Sequence, residues 1–288
     1  MTKSIYTLIP DIYALVGGAH GITDHVASDL AANVSSAVQR SFGNTERKGL
    51  RMSGLGDRCP CALWYDANHP ELGEQLPPYA KIKYAYGHII EHLVIALAKA
   101  AGHDVQGEQD ELVLDGVVGH RDCVIDGAVV DVKSAASRSF LKFRDKTLGQ
   151  DDPFGYLDQV DAYVLGSALD PLVTVKDRGF LLAVDKQLGH MVLYEHQARP
   201  EHITNRIRSY KKIVNSSKPP RCECHTVADG KSGNLRLDTK ASYSAYKYCC
   251  NPSLRCFLYA DGPRYLTKVI RIPDTAEVDK HGKIVYNG

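Results

Sequence analysis

Along most of this chain, apolar residues recur at every third and fourth position or alternate with polar ones, and these two periods mark out its elements. Over residues 24–42, Val26, Leu30, Val34 and Val38 fall on one helical face, with Asp24 as the cap. Residues 84–101 carry the strongest stripe, Ile89, Ile90, Leu93, Val94 and Leu97, and Gly102 ends it. His88, Glu91 and His92 lie on the polar edge beside that stripe. Asp152-Pro153 starts another helix, with Asp as cap and Pro at the first position, and Gln159 and Tyr163 follow one turn apart. The runs 173–175, 179–184 and 190–194 read as strands, and a long helix covers about 201–214. This order predicts an α/β fold with a mixed central β-sheet flanked by helices. Three parts are expected: an N-terminal helical segment (1–48), a core (49–200), and a C-terminal helix with a cysteine-containing segment packed on that core (201–288).

The stretch 119–135, GHRDCVIDGAVVDVKSA, has two β-type runs flanking Asp126-Gly127, the strongest short-range hairpin signal. If those two residues form the loop, Ile125 faces Ala128, Val124 faces Val129, Cys123 faces Val130 and Asp122 faces Asp131. Side chains alternate between faces, so Lys133 joins Asp131 and His120 joins Asp122. Opposed carboxylates ~4.5–5.5 Å apart at Cβ destabilise a sheet. A hard divalent cation between them removes the conflict, because such ions take carboxylate oxygens with water or phosphate completing the shell. The opposite face, Cys123, Ile125, Val130 and Val132, requires a core behind it.

With 44% hydrophobic and 24% charged residues the chain reads as a soluble globular protein, and no apolar run approaches the ~20 residues that span a bilayer. Its net charge of +1 gives no global pull on a polyanion, so any basic patch must be local. One such stretch runs from Arg206 through Arg208, Lys211, Lys212 and Lys218 to Arg221, with no acidic residue in it. Tyr210 within it could stack on a base. Another, Arg138, Lys142, Arg144 and Lys146, follows the hairpin. Either could grip a phosphate backbone or be a solvated helix face. Eight scattered cysteines without a secretory signal point to a reducing cytoplasm and to thiols or metal ligands.

Gly119-x-x-Asp122 followed by Asp131-x-Lys133 resembles the core of the PD-(D/E)xK nuclease superfamily, in its RecB-like branch. Gln159-x-x-x-Tyr163 is similar to that branch's Gln-x-x-x-Tyr helix motif, and Gly87-x-x-x-Glu91 to the helix supplying its first ligand. The likeness, strongest to phage RecB-like exonucleases, covers about 50–164 and 219–269.

The resemblance implies a restriction-endonuclease-like core and a metal-dependent DNA exonuclease, serving phage recombination, repair or genome processing in the host cytoplasm. Glu91 (or His88), Asp122, Asp131 and the Val132 carbonyl would hold Mg²⁺ or Mn²⁺. Lys133 would orient or deprotonate the attacking water, with Gln159 and Tyr163 positioning the strand. The expected partner is DNA, single-stranded or with a free end, gripped by Arg138, Lys142, Arg206, Arg208, Lys211 and Lys212; no membrane is expected. A non-catalytic recombination accessory protein and an endonuclease or junction resolvase are the alternatives. The family can also carry an iron–sulfur cluster on one N-terminal and three C-terminal cysteines. Cys59 and Cys250 match, but Ala241 and Ser244 stand at two ligand positions, so no cluster is expected. Zinc held by Cys222, Cys224, Cys249 and Cys250 is a further alternative, and inert thiols another.

Overall fold

The computed structural model describes residues 3–18, 21–43, 49–228, 235–252, 257–259, 268–271, 276–278 and 284–286. The helices are α1 (Leu8–Gly17), α2 (Asp24–Phe42), α3 (Pro60–Asn68), α4 (Pro78–Ala100), α5 (Ser137–Arg144), α6 (Tyr156–Gly166), α7 (Pro200–Val214), α8 (Thr239–Ser242) and α9 (Lys247–Cys250). The strands are β1 (Val105–Gln106), β2 (Glu111–Leu114), β3 (Val117–His120), β4 (Cys123–Ile125), β5 (Ala128–Ala135), β6 (Arg178–Asp185) and β7 (Met191–Gln197). They continue with β8 (Thr226–Ala228), β9 (Leu235–Leu237), β10 (Phe257–Tyr259), β11 (Lys268–Arg271), β12 (Ala276–Val278) and β13 (Ile284–Tyr286). Two compact units result, Met1–Gly56 with Ala80–Ile207, and Asp57–Tyr79 with Arg208–Gly288.

In the first unit a five-stranded mixed sheet runs β1-β4-β5-β6-β7, with only the β5–β6 pair parallel. This is the helix-flanked α/β sheet expected from the sequence. Asp126 and Gly127 form the hairpin turn with φ of 50° and 79°, the two left-handed residues a tight loop demands. The register then pairs Cys123 with Val130, Val124 with Val129 and Ile125 with Ala128. On one face Cys123, Ile125, Val130 and Val132 bury themselves with Phe180 and Leu182 against Leu8, Ile12, Val94, Ile95 and Ala98 of the N-terminal helix and α4. Each buried Val, Leu, Ile or Phe among them contributes about 1.5–3 kcal/mol. On the other face α6 packs so closely that a Cβ on Gly179 of β6 would meet Val160 at 2.5 Å.

Several expectations shift. α4 starts at Pro78, ahead of the stripe read over 84–101, and its buried residues are Ala80, Ala85, Glu91, His92, Val94, Ile95, Ala96 and Ala98 while Leu93 is exposed. α6 starts at Tyr156 and not at the Asp-Pro pair. Gly155, in the left-handed region, is its N-cap, and Asp152 instead accepts the Leu157 N–H at 2.9 Å. Residues 173–175 are not a strand; the Thr174 and Val175 N–H groups both donate to the Gly127 carbonyl.

The second unit holds a four-stranded antiparallel sheet, β10-β11-β9-β8. Trp64 is buried in α3 as packing, its indole N–H donating to the Ser216 carbonyl at 2.8 Å. Cys59, Cys61, Ala62, Cys224, Leu237, Ala241 and Tyr246 form its small core. Cys256, one of the eight cysteines, lies outside the described residues. No described helix is long and apolar enough to cross a membrane.

Candidate active site

Asp131 and Lys133 alternate with the core-facing Val130 and Val132, so β5 directs them to the α6 side of the sheet. There the Lys133 ammonium lies 2.6 Å from Asp131 Oδ2 and donates to Gln159 Oε1 at 3.0 Å. The Gln159 amide donates onward to the Tyr163 hydroxyl at 2.8 Å. The Tyr156 ring centroid is 4.7 Å from the ammonium, a cation–π contact at the start of the same helix. Gln159 and Tyr163 are therefore buried in the site, joined to each other and to Lys133.

Asp122 stands one residue before the β4–β5 ladder begins. Its Oδ2 accepts the Val132 N–H at 2.7 Å, which ties the carboxylate to β5 between Asp131 and Lys133. His120 does not share this surface. It ends β3, which pairs with β2 in a separate two-stranded sheet, and its Nε2 lies 3.7 Å from Glu111. The break comes at Arg121, whose fully buried guanidinium binds Asp110 at 2.7 Å, Asp170 at 2.5 Å and Ser167 at 3.2 Å.

Glu91 is buried on α4 with Oε1 accepting from the Gln109 amide at 2.6 Å; His88 Nδ1 is 3.6 Å from its Oε2 on a half-exposed ring. Gln109 also donates its backbone N–H to the Asp122 carbonyl at 3.2 Å and adopts φ of 57° to do so. Two of the resemblance's glycines have local reasons. A Cβ on Gly119 would meet Met52 at 2.6 Å, and one on Gly87 would stand 3.4 Å from Ser134 Oγ.

The electrostatics of the set are unbalanced. Burial, then the Asp131 and Glu91 charges, hold the Asp122 carboxyl well above the ordinary carboxylate range. Burial also raises Asp131, against the pull of Lys133. For Lys133, burial acts downward, but the Asp131 and Asp122 charges outweigh it and keep the ammonium above the usual lysine value. Tyr163 is raised by burial and by the same two carboxylates. Asp131 is buried with the Lys133 ammonium against its Oδ2 at 2.6 Å, and no further donor reaches either oxygen among the described residues. One ammonium thus faces three carboxylates, an arrangement that costs several kcal/mol unless further positive charge arrives. Carboxylate oxygens with open lone pairs are the donor type a hard divalent cation takes, so the chemistry of these residues suits one.

The basic residues are spread out. Arg138 is exposed on α5, while Lys142 nearby is 2.5 Å from the Asp151 carboxylate. On α7, Arg206 is 3.4 Å from Asp158, Lys211 is half-buried, and Arg208 and Lys212 are exposed. Tyr210 is not available for base stacking, because it is buried and its hydroxyl accepts the Arg58 N–H at 3.1 Å.

Sequence reasoning missed Gln109, Tyr156 and Arg121. A residue at positive φ between two strands leaves no periodic signal, and Tyr156 reads simply as a helix-start aromatic. Ala241 and Ser244 leave the family's cysteine positions two thiols short, and a different set of thiols meets instead. Cys222 and Cys224 fold back onto the start of α3, where their thiols gather with those of Cys59 and Cys250. Backbone closure over more than 160 residues is invisible to a spacing pattern.

No protein-family model matches the chain, and no curated protein matches it. Among solved structures, SSO0001 is similar over 78% of this chain and 96% of its own, at 13% identity and a TM-score of 0.42. An alkaline exonuclease, LHK-Exo from Laribacter hongkongensis, is similar over 67% of this chain and 91% of its own, at 15% identity and a TM-score of 0.30.

Proposed function

We propose that this protein is a metal-dependent deoxyribonuclease that hydrolyses phosphodiester bonds, acting as an exonuclease on DNA with a free end. The observation that carries the reading is the Lys133 ammonium held between Asp131 and Gln159 beside a second, part-buried carboxylate, Asp122. Glu91, Asp122, Asp131 and the Val132 carbonyl would hold Mg²⁺ or Mn²⁺. A cation there supplies Lewis acidity toward a phosphate oxygen and lowers the pKa of coordinated water.

The chain's own groups then divide the remaining work. Lys133 is kept charged by two carboxylates, so it acts as a cation and not as the base: it orients the attacking water and stabilises charge developing on the phosphate. Gln159 fixes the ammonium by accepting from it, and Tyr163 fixes Gln159 in turn. Asp122 locks onto the Val132 N–H, which keeps the donor oxygens in place before substrate arrives. A role in phage DNA recombination or genome processing rests on the sequence resemblance.

Linear end-labelled DNA and circular single-stranded DNA, each with and without Mn²⁺, test this reading. Loss of label from the linear substrate in Mn²⁺ with the circle intact is the expected result. Cutting of the circle would make the protein an endonuclease, and DNA binding with no cleavage would make it an accessory factor.

A further inference from the structure

Four thiols meet outside the carboxylate site. The Sγ atoms of Cys59, Cys222, Cys224 and Cys250 all lie within 4.8 Å of one another, and none is in a disulfide. They come from three places in the second unit: Cys59 caps α3, Cys222-x-Cys224 precedes β8, and Cys250 ends α9. Packing alone does not explain the grouping, because a thiol is a weak donor and a weak acceptor and gains little from other thiols. Main-chain donors also point at the sulfurs. The Glu223 N–H is 3.3 Å from Cys59 Sγ, and the Cys224 N–H is 3.2 Å from Cys222 Sγ. Donors of this kind orient ligating groups and offset the charge of a metal-bound thiolate.

The sulfur spacing selects the ion. A single tetrahedral ion with metal–sulfur bonds of about 2.3 Å sets its four sulfurs about 3.8 Å apart, inside the limit seen here. In a four-iron cluster each thiolate sits on a different iron, at the corners of a cage wider than one ion. These residues therefore do not fit an iron–sulfur cluster of the kind the resembling family can carry, two of whose ligand positions are Ala241 and Ser244 here. The geometry points to a structural zinc site in which Cys59, Cys222, Cys224 and Cys250 supply all four thiolates. Four protein ligands leave no open position, so the ion has a folding role and no catalytic one. It ties the start of α3 to the C-terminal segment within the second unit. The neighbouring thiols stay outside the set. Cys61 is buried in the small core, and Cys249 Sγ donates to the Leu72 carbonyl at 3.7 Å. The inference stands apart from the nuclease reading.

The full chain, purified without chelator or added metal, should be colourless and contain one zinc per chain by elemental analysis, with neither iron nor sulfide. Exchange of the zinc for Co²⁺ should give the intense visible bands of a tetrahedral thiolate site. Cys224→Ser should lose more than nine-tenths of the zinc, whereas Cys61→Ser should keep it. Brown protein with iron and sulfide would overturn the proposal. So would iron without sulfide, metal-free protein whose four thiols all react in the native state, or equal zinc loss from both variants.

Discussion

Lys133 and Gln159 stand 26 residues apart in the chain, yet the Lys133 ammonium donates directly to the Gln159 side-chain carbonyl at 3.0 Å. The bond joins the strand that carries Asp131 to the helix that covers it. It also fixes one of the ammonium's three protons, leaving the others for Asp131 and substrate. Lys133→Ala should therefore slow single-turnover cleavage by about 10³-fold or more, with DNA affinity within a few-fold of wild type. Gln159→Ala leaves the charge but frees its position, and should cost roughly 10–10²-fold. Near-wild-type turnover in Lys133→Ala would show that the catalytic cation lies elsewhere.

The carboxylates set the response to pH. Asp122 and Asp131 have folded-state pKa values raised above their ordinary ones, by burial first and then by neighbouring acids. A raised carboxyl favours the folded state while protonated, so this contribution is full below the ordinary carboxylate range and is lost as pH rises through the raised values. The metal-free protein should lose stability over that rise, and Mn²⁺ should restore it most at the high end. Cation binding must displace the proton, so Mn²⁺ affinity should climb with pH by up to about tenfold per unit for each proton released. Calorimetric titration at pH 6 and pH 8, in two buffers of different ionisation enthalpy, measures both effects. Asp122→Asn should abolish most of the proton release. Affinity independent of pH, with no proton released, would contradict the coupled site.

The hairpin was legible in the sequence because its turn is local: Asp126-Gly127 fixes the register through the next three pairs, and nothing remote overrides it. The alternation that puts Asp131 and Lys133 on one face follows from the same fact. The polar edge of α4 was less legible. Glu91 and His92 sit inside and Leu93 outside, because the helix rotates to serve the carboxylate site as well as the core. His120 was misplaced because strand alternation was carried through Arg121, where buried ion pairs break the strand. The cysteine cluster was hidden for another reason. Its members come together only through long-range closure, and a motif with the wrong spacing gives no hint of which thiols substitute for the missing ones.

Gly155 and Gly56 make a contact that only glycines allow. Gly155 caps α6 with φ of 69°, and a Cβ built on it would stand 2.1 Å from Gly56 Cα. The backbone conformation and the collision act together, and neither neighbour is a flexible side chain that could move away. Gly155→Ala should destabilise the protein by roughly 2–4 kcal/mol, combining left-handed strain with overpacking. Since α6 carries Tyr156, Gln159 and Tyr163, cleavage should fall even at temperatures where the variant is still folded. Chemical denaturation and single-turnover rates check the two effects separately. A variant with wild-type stability would mean that the two backbones do not touch in solution.

Arg208 and Lys212 are exposed one turn apart on α7, whereas Arg206 on the same helix is drawn to Asp158. Arg206 helps hold the helix down through its ion pair with Asp158, while Arg208 and Lys212 lie on the exposed face of the same helix. If that face carries nucleic acid, each of the two should neutralise a phosphate and release its counterion. The double variant Arg208→Gln with Lys212→Gln should then weaken binding to DNA of every sequence alike. The slope of log affinity against log salt should flatten by about 0.7 per lost contact on single strands and about 0.9 on duplex. Fluorescence anisotropy from 50 to 300 mM salt reads the slope directly. Arg206→Gln serves as the contrast, since its main effect should be on thermal stability through Asp158. A double variant with an unchanged slope would make this face of α7 an ordinary solvated surface, and the strand would have to be held by Arg138 and the residues around the carboxylates.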